Sequence, residues 1–416
     1  MELVLDDTQQ SAFDACCDTD RRIVPITGQA GTGKTTMLKR VHEFFRSKGI
    51  TVVLCAPTGK AAKRITEATG IEARTIHRLL EYPFPGELDK ATGKALISTD
   101  PKRDRRTPLD FFVVLADEYA MVNTEVHRNL LDALPSGGLI RMFGDANQLA
   151  PIESSKKLQG EPSPFMDMLT RFDGIRLTTI HRQAEGSDII LNGDRIIKGI
   201  MPRRTEEFDM KITERPVRAI EDLVMEGLEN GVDFSQTNNQ IISPIKKGWV
   251  GTVALNGMIQ GLLQSASKPS LNVARHPWFE SDYLRLCIDD KVIFTVNNYT
   301  LGVFNGETGI VRSFDAAGTV LVDFGDKLVP VPNVLAVETI RGTSYINPQK
   351  DLELAYCITT HKAQGSEYNS VVYVINRSRQ WNLNRKNFYT GISRARKQVT
   401  VIADQVALQV SLSKRE

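Results

Sequence analysis

Several things are scarce in this chain of 416 residues, and each scarcity removes a class of protein. No apolar run approaches the ~20 residues that a membrane-spanning helix needs, so no membrane partner is expected. The five cysteines (Cys16, Cys17, Cys55, Cys287 and Cys357) include no C-x-x-C spacing, which argues against zinc and for a reducing compartment. An excess of one charge is missing as well. The net charge is +2, so a polyanion could be met only by a local stripe and not by a global field. The opening Met1-Glu-Leu-Val-Leu-Asp-Asp is acidic and lacks a signal-peptide pattern, from which a cytoplasmic location is expected. With 41% hydrophobic and 25% charged residues, the composition is that of a soluble globular protein. The length exceeds one ordinary core, so about two to four domains are expected.

What is present is concentrated in Gly28-Gln29-Ala30-Gly31-Thr32-Gly33-Lys34-Thr35, followed by Thr36. This completes the pattern G-x-x-x-x-G-K-[ST]. A short apolar run (Ile23 to Thr27) precedes it, and Met37 to Phe45 follow with apolar residues at helical spacing. Glycines let backbone N–H groups close around an anion, and a helix N-terminus adds its positive dipole end. Lys34 would reach the β- and γ-phosphates of a nucleoside triphosphate, and the Thr35 hydroxyl would ligate Mg²⁺. Pro25 sits in the presumed strand and removes a ladder donor, which predicts a short or bulged strand there.

Residues 3 to 20 read as a helix with Leu5, Ala12, Phe13 and Ala15 as its apolar set. Ile50 to Ala56 read as a buried parallel strand running into Pro57-Thr58-Gly59-Lys60, a turn that opens a basic helix. Residues 81–108 are turn-rich, too polar for a core and too long for an ordinary connection, so a small inserted β-hairpin is expected. Leu109 to Asp117-Glu118 form a strand delivering two carboxylates at its C-terminal end. Asp117 would hold Mg²⁺, directly or through water, and Glu118 would polarise the attacking water. Gly138 to Asp145 form a further strand ending in the loop Ala146 to Ile152. Four βα units in 150 residues predict a doubly wound domain. From about residue 287, short strands separated by Asn305-Gly306, Ala317-Gly318 and Gly325-Asp326 turns predict a barrel of SH3-like size. The α/β pattern resumes at Leu354.

Taken in order, the blocks at Gln9, Gly28–Thr35, Pro57–Lys63, Thr75–His77, Asp117–Glu118, Gly144–Pro151, His181–Gln183, Thr360–Glu367 and Tyr389–Arg396 resemble the superfamily 1B DNA helicases of the RecD/Dda type. The length resembles the compact Dda helicases of phages. The resemblance implies an α/β fold of two RecA-like doubly wound parallel-sheet domains, with a β-hairpin inserted in the first and an SH3-like β-barrel in the second. The expected boundaries are 1–155 for the first domain, with 81–108 as the hairpin. The second domain is expected at 156–286 and 344–416, interrupted by the barrel at 287–343.

The same resemblance implies that ATP is hydrolysed with Mg²⁺ between the domains while the protein moves 5′→3′ on single-stranded DNA. It makes Gln9 the reader of adenine, whose donor–acceptor edge suits an amide. Gln148 becomes the γ-phosphate sensor, and Arg182 and Arg394 the arginines supplied by the second domain, with Glu367 close to the nucleotide. Pro57, Thr58, Lys60, Thr75 and His77 would grip DNA in the first domain, and Thr360, His361 and Gln364 in the second. Tyr82 and Phe84 in the hairpin would stack on the last base pair of a junction. The implied partners are single-stranded DNA and junctions of single- and double-stranded DNA, met by a monomer in a bacterial or phage-infected cytoplasm. The family's Asp-Glu-Val-Ser-Met reads Asp117-Glu118-Tyr119-Ala120-Met121 here, which loses a serine hydroxyl and gains an aromatic but leaves the acidic pair intact. Two other readings share parts of the pattern. A P-loop kinase would share the phosphate loop and Asp117, and a DNA-binding module would need a disabled ATPase. A translocase that strips proteins with little unwinding is a third variant.

Overall fold

The computed structural model describes residues 5–82, 100–151, 153, 162–179, 187–264, 267–274, 283–298, 300–339, 342–377 and 382–414. The chain divides into two units, Met1–Glu185 and Gly186–Glu416.

In the first unit, helix α1 (Asp7–Cys17) is followed by β1 (Ile23–Gly28), α2 (Lys34–Ser47), β2 (Val52–Ala56), α3 (Gly59–Thr69), β3 (Ala73–Thr75) and α4 (Ile76–Leu79). Then come β4 (Val113–Ala116), α5 (Thr124–Asp132), β5 (Leu139–Gly144), α6 (Pro164–Arg171) and β6 (Ile175–Leu177). All six strands are parallel, in the order β3-β2-β4-β5-β1-β6. Apolar layers lie on both faces. Met37, Leu38, Val41 and Phe45 of α2 pack on one side, and Val126 and Leu130 of α5 on the other. Continuous burial of β2, β4 and β5 is what a sheet covered on both faces requires. Arg141 of β5 is fully buried and donates to the carbonyls of Cys16 (2.6 Å), Asp18 (2.8 Å) and Arg21 (2.8 Å), so it caps the C-terminus of α1.

Two expectations change. The strand at Pro25 is neither short nor bulged, because its register with β5 runs unbroken through Pro25↔Met142. The other neighbour, β6, joins only from Ile26, so one side of Pro25 faces no strand and a missing donor is tolerated. The first unit also extends past residue 155. Strand β6 is an edge strand of the first sheet, hydrogen-bonded to β1, which binds α6 and β6 to that unit.

The second unit holds α7 (Asp188–Ile197), β7 (Phe208–Ile212), α8 (Pro216–Glu229), β8 (Asn239–Ser243), α9 (Thr252–Leu263) and a hairpin of β9 (Ser270–Ala274) with β10 (Tyr283–Cys287). Next come β11 (Lys291–Phe294), β12 (Thr308–Phe314), β13 (Val320–Asp323), β14 (Leu328–Val331) and a second hairpin, β15 (Leu335–Thr339) with β16 (Gly342–Ile346). The last elements are β17 (Leu352–Leu354), β18 (Cys357–Thr359), α10 (Thr360–Ala363), β19 (Tyr368–Ile375), α11 (Arg385–Ile392), β20 (Ala395–Ala403) and α12 (Gln405–Ser413). A parallel sheet runs in the order β18-β8-β19-β20-β7. An antiparallel sheet runs in the order β14-β13-β12-β11-β17.

The strands predicted between 291 and 331 are there, but the antiparallel sheet reaches beyond 343. Strand β17, at 352–354, closes it against β11. Nor does this sheet have a core of its own. Val292, Val311, Val322 and Val331 share one apolar cluster with Ile220 and Val224 of α8 and Leu255 and Ile259 of α9. Helix α9 also fastens both crossings into it. Asn256 bonds the carbonyls of Leu354 and Cys357 at 2.9 Å each, and Gln260 bonds the buried Asp290 carboxylate at 2.5 Å.

Candidate nucleotide site and nucleic-acid edge

In the first unit, the strand order brings the expected nucleotide residues together. Strand β5 lies between β1 and β4. The loop after β1 carries Lys34 and Thr35, the turn after β4 carries Asp117 and Glu118, and the loop after β5 carries Gln148. All three leave the C-terminal edge of adjacent parallel strands, where open α/β sheets bind ligands.

The N-cap of helix α2 is Gly33, which has φ +83° and supplies no side-chain cap. Helices α1, α3, α4 and α5 are each capped by a side chain (Asp6, Thr58, Thr75 and Asn123). The first-turn N–H groups of α2 are therefore left for an anion. A Cβ at Gly33 would lie 2.5 Å from the Gln9 amide nitrogen, so the loop is packed closely as well as left-handed. Within the loop, Lys34 Nζ donates to the carbonyls of Gly28 (2.7 Å) and Gln29 (2.9 Å). Thr32 Oγ1 donates to the Gln29 carbonyl at 2.9 Å. Ala30 and Gly31 lie in the same loop, and Thr36 lies in the first turn of α2.

Gln9 is buried, and both of its amide atoms are engaged. Its oxygen accepts from the Asp6 N–H at 3.3 Å, completing a capping box on α1, and its nitrogen donates to the Thr32 carbonyl at 3.2 Å. In this structure it braces the phosphate loop from α1.

The acidic pair has a different electrostatic character. Burial pushes the Asp117 carboxyl up to about 6, and the Glu118 charge adds to the rise. The Lys34 ammonium, the Glu118 N–H and the Arg64 guanidinium pull the other way. These groups thus share one electrostatic neighbourhood. Glu118 occupies the left-handed region at φ +51°, a strained conformation for a non-glycine residue. Its N–H donates to Asp117 Oδ1 at 2.8 Å, and its Oε1 lies 3.8 Å from Arg64 Nη1. Glu118 Oε2 and Gln148 Oε1 are buried and have no hydrogen-bond partner among the described residues. An unmet buried acceptor costs about 1–3 kcal/mol, so both are suited to a donor that arrives with a ligand.

Arg64 is the residue that sequence reasoning missed here. The DNA block read from the sequence stops at Lys63, yet β2 pairs with β4, which sets α3 beside the acidic pair and brings Arg64 to Glu118. Tyr119 answers the departure in the acidic motif. It is fully buried, its hydroxyl is 3.0 Å from His127 Nδ1, and its ring packs against Phe165. The aromatic fills the core behind the carboxylates.

The expected DNA residues of the first unit continue along the same edge, after β2 and β3. Thr58 Oγ1 accepts from the Ala61 N–H at 3.2 Å and Thr75 Oγ1 from the Arg78 N–H at 3.1 Å. Each threonine thus caps a helix that carries a basic side chain, Lys60 or His77, in its first turns, and Pro57 precedes the first of them. Tyr82 is held at the base of the expected hairpin. Its hydroxyl accepts from Asn129 Nδ2 at 2.7 Å, and its ring lies 4.9 Å from that of His77. Arg103 clamps the same base through Glu81 (2.7 Å) and Asp110 (2.9 Å). Residues 83–99 of the expected hairpin, with Phe84, lie outside the described residues, as do His181, Arg182 and Gln183.

In the second unit a threonine cap recurs at the residue before Thr360. Thr359 Oγ1 accepts from the Lys362 N–H at 3.3 Å, whereas Thr360 is fully buried and cannot touch a strand of DNA in this conformation. His361 is half-buried, and desolvation lowers its pKa, which keeps it neutral at pH 7. Gln364 is buried.

Glu367 and Arg394 sit side by side where β19 and β20 begin, since Tyr368 pairs with Ala395. Glu367 Oε2 accepts from Arg396 Nε at 2.7 Å. Arg394 is buried and, among the described residues, bonds only neutral acceptors: the Thr390 carbonyl (3.1 Å), Ser393 Oγ (3.0 Å) and the Ser366 carbonyl (3.5 Å). A buried guanidinium without a carboxylate is poised for an anionic ligand.

A phosphate loop on a parallel sheet, an acidic pair and a second α/β unit define a P-loop nucleoside triphosphatase with two RecA-like domains. The family model described as "AAA domain" matches residues 4–211, half of the chain. The "UvrD-like helicase C-terminal domain" matches residues 354–402. The ATP-dependent RecD2 DNA helicase of Deinococcus radiodurans is 28% identical over 99% of this chain and 51% of its own length. The RecBCD enzyme subunit RecD of Mycobacterium tuberculosis is 24% identical over 94% of this chain and 68% of its own length. The chain thus spans about half the length of the Deinococcus protein. The crystal structure of Pif1 helicase from Bacteroides in complex with ADP-AlF3 and ssDNA superposes with a TM-score of 0.57 at 21% identity, covering 98% of this chain and 94% of that one. The chain belongs to this AAA-domain family and is similar over most of its length to helicases of RecD type.

Proposed function

We propose that this chain is an ATP-dependent DNA helicase that translocates 5′→3′ on single-stranded DNA and hydrolyses ATP between its two RecA-like domains. The observation that carries the reading is the sheet order of the first unit, which sets phosphate loop, sensor glutamine and acidic pair beside two threonine-capped helices. The names of the relatives, a RecD2 DNA helicase and a Pif1 helicase with ssDNA, support the same substrate.

Lys34 moves from the loop carbonyls to the phosphates, and Glu118 accepts a hydrogen bond from the attacking water. Gln148 donates to the γ-phosphate, while Arg182 and Arg394 offset the charge that spreads over it. Mg²⁺, held by Thr35 and Asp117, would neutralise β- and γ-phosphate oxygens. The donor set of one hydroxyl and one carboxylate suits that ion. Differential contact of the arginines with ATP and its products biases cleft closure, which advances one DNA grip relative to the other. Grip falls on the backbone, so affinity varies little with sequence and falls with salt. The segment 81–108 serves as the strand-separating hairpin, and the antiparallel sheet of the second unit corresponds to an SH3-like insertion.

Unwinding of 5′-tailed, 3′-tailed and blunt duplexes tests the reading. Only the 5′-tailed duplex should open, with ATP turnover stimulated by DNA. Stimulated turnover without opening would favour a translocase that strips proteins. No stimulation at all would overturn the motor.

A further inference from the structure

We propose that Trp249 is a base-stacking platform for the DNA strand, flanked by Lys246, Lys247 and Lys362 as phosphate contacts, at the C-terminal edge of the second parallel sheet. The inference rests on the DNA-motor reading. Trp249 is 54% exposed, and Val253, one helical turn further on, is 60% exposed. A tryptophan is costly to leave in water and is among the side chains most used to bind.

Its display is not the accident of a loose loop. Within the turn, the Gly251 N–H donates to the Gly248 carbonyl (2.9 Å), the Thr252 N–H to Ile245 (3.0 Å) and the Val253 N–H to Lys246 (3.2 Å). Ser243 Oγ donates to the Val250 carbonyl at 2.9 Å, and Val250 is buried. A Cβ at Gly251 would fall 2.6 Å from the Lys246 carbonyl, so the closure demands glycine. The turn therefore plants Val250 in the core and holds Trp249 outward on a fixed base, which reduces the entropy lost on binding.

Charge is gathered at the same place. Strands β8 and β18 are parallel neighbours with Ser243 opposite Thr359, so the turn after β8 emerges beside His361 and Lys362. Glu353 joins the two: its oxygens accept from Lys246 Nζ (2.9 Å) and Lys362 Nζ (2.7 Å). One carboxylate holding two ammonium groups leaves net positive charge in a fixed position, with the exposed Lys247 adjacent. An aromatic face among ordered cations is the chemistry of sequence-tolerant binding to a single strand.

The test uses the full chain, a short oligo-dT and an abasic oligonucleotide of the same length, with Trp249→Ala, Trp249→Phe and Lys247→Gln. Trp249→Ala should weaken oligo-dT binding about 10-fold or more, the effect of one lost stack, and leave abasic binding near wild type. Trp249→Phe should retain most of the affinity but lose the tryptophan quenching that oligo-dT causes in the wild type. Lys247→Gln should weaken both ligands and flatten the salt dependence by about 0.7 in slope. Equal affinity of Trp249→Ala and wild type for oligo-dT overturns the inference, as does equal weakening toward both ligands. A wild type that binds neither oligonucleotide would instead sink the motor reading.

Discussion

The two parallel sheets divide the same labours differently. In the first unit the residues assigned to nucleotide and those assigned to DNA leave one edge, the C-terminal ends of β1, β5, β4, β2 and β3. In the second they leave opposite edges. Thr359, His361, Lys362 and the Trp249 turn follow the ends of β18 and β8, whereas Glu367 and Arg394 precede the starts of β19 and β20. The register puts about six residues, roughly 20 Å, between those edges. A single segment, residues 360–367, spans the distance. It starts at the threonine cap and ends at Ser366, whose carbonyl touches Arg394, and at Glu367, which holds Arg396. The first unit can couple its two ligands sideways along an edge. On the same assignment the second would couple along the length of its strands, through one short stretch of chain.

The sharpest break in that comparison is Lys34→Ala. It should reduce ATP turnover by ~10³-fold or more while single-strand binding persists, because the DNA grip lies on other strands of the same edge. Turnover assays paired with strand binding check it, and near-normal hydrolysis would remove the phosphate loop from the site.

Arg394→Lys probes the other side. The substitution keeps charge but loses the planar fork that now bonds three acceptors. A fall of ~10²-fold in kcat with little change in KM is expected. A rise in KM alone would leave the guanidinium as a structural group of the second unit.

Asp117→Asn separates function from stability. With its pKa raised from 3.8 to about 6, Asp117 favours folding fully only below 3.8, and that contribution is lost as the pH rises through about 6. The amide should therefore stabilise the metal-free protein by roughly 1–3 kcal/mol at high pH and by nothing at low pH, while abolishing Mg²⁺-dependent turnover. Denaturant midpoints at two pH values test the sign.

The smallest effect compares the caps directly. Thr58→Ala and Thr359→Ala each remove one N-cap, worth ~1 kcal/mol of local stability. Strand affinity should fall modestly in both. Only Thr359→Ala should also change the coupling of DNA to kcat by way of residues 360–367. Identical effects of the two substitutions would contradict the edge comparison.

Much of this is legible in the amino-acid sequence alone. The phosphate loop, the acidic pair and the strands before them are local patterns, set by spacing and burial within a few residues. The threonine blocks were found for the same reason, although Thr359, not Thr360, supplies the cap in the second unit. Other features depend on which strands become neighbours. Arg64 meets Glu118 only because β2 pairs with β4, and β6 belongs to the first sheet only because it pairs with β1. The antiparallel sheet reads as separate in the sequence, yet shares its core with α8 and α9.

By itself, then, the amino-acid sequence determined that the chain carries a phosphate loop, an acidic pair and two α/β stretches, because backbone preference and hydrophobic period act over short distances. Only the tertiary structure decided that β5 lies between β1 and β4, that Gln9 braces the loop, and that the Trp249 turn shares a sheet edge with Lys362. These follow from contacts between residues far apart in the chain, whose energies no local pattern records.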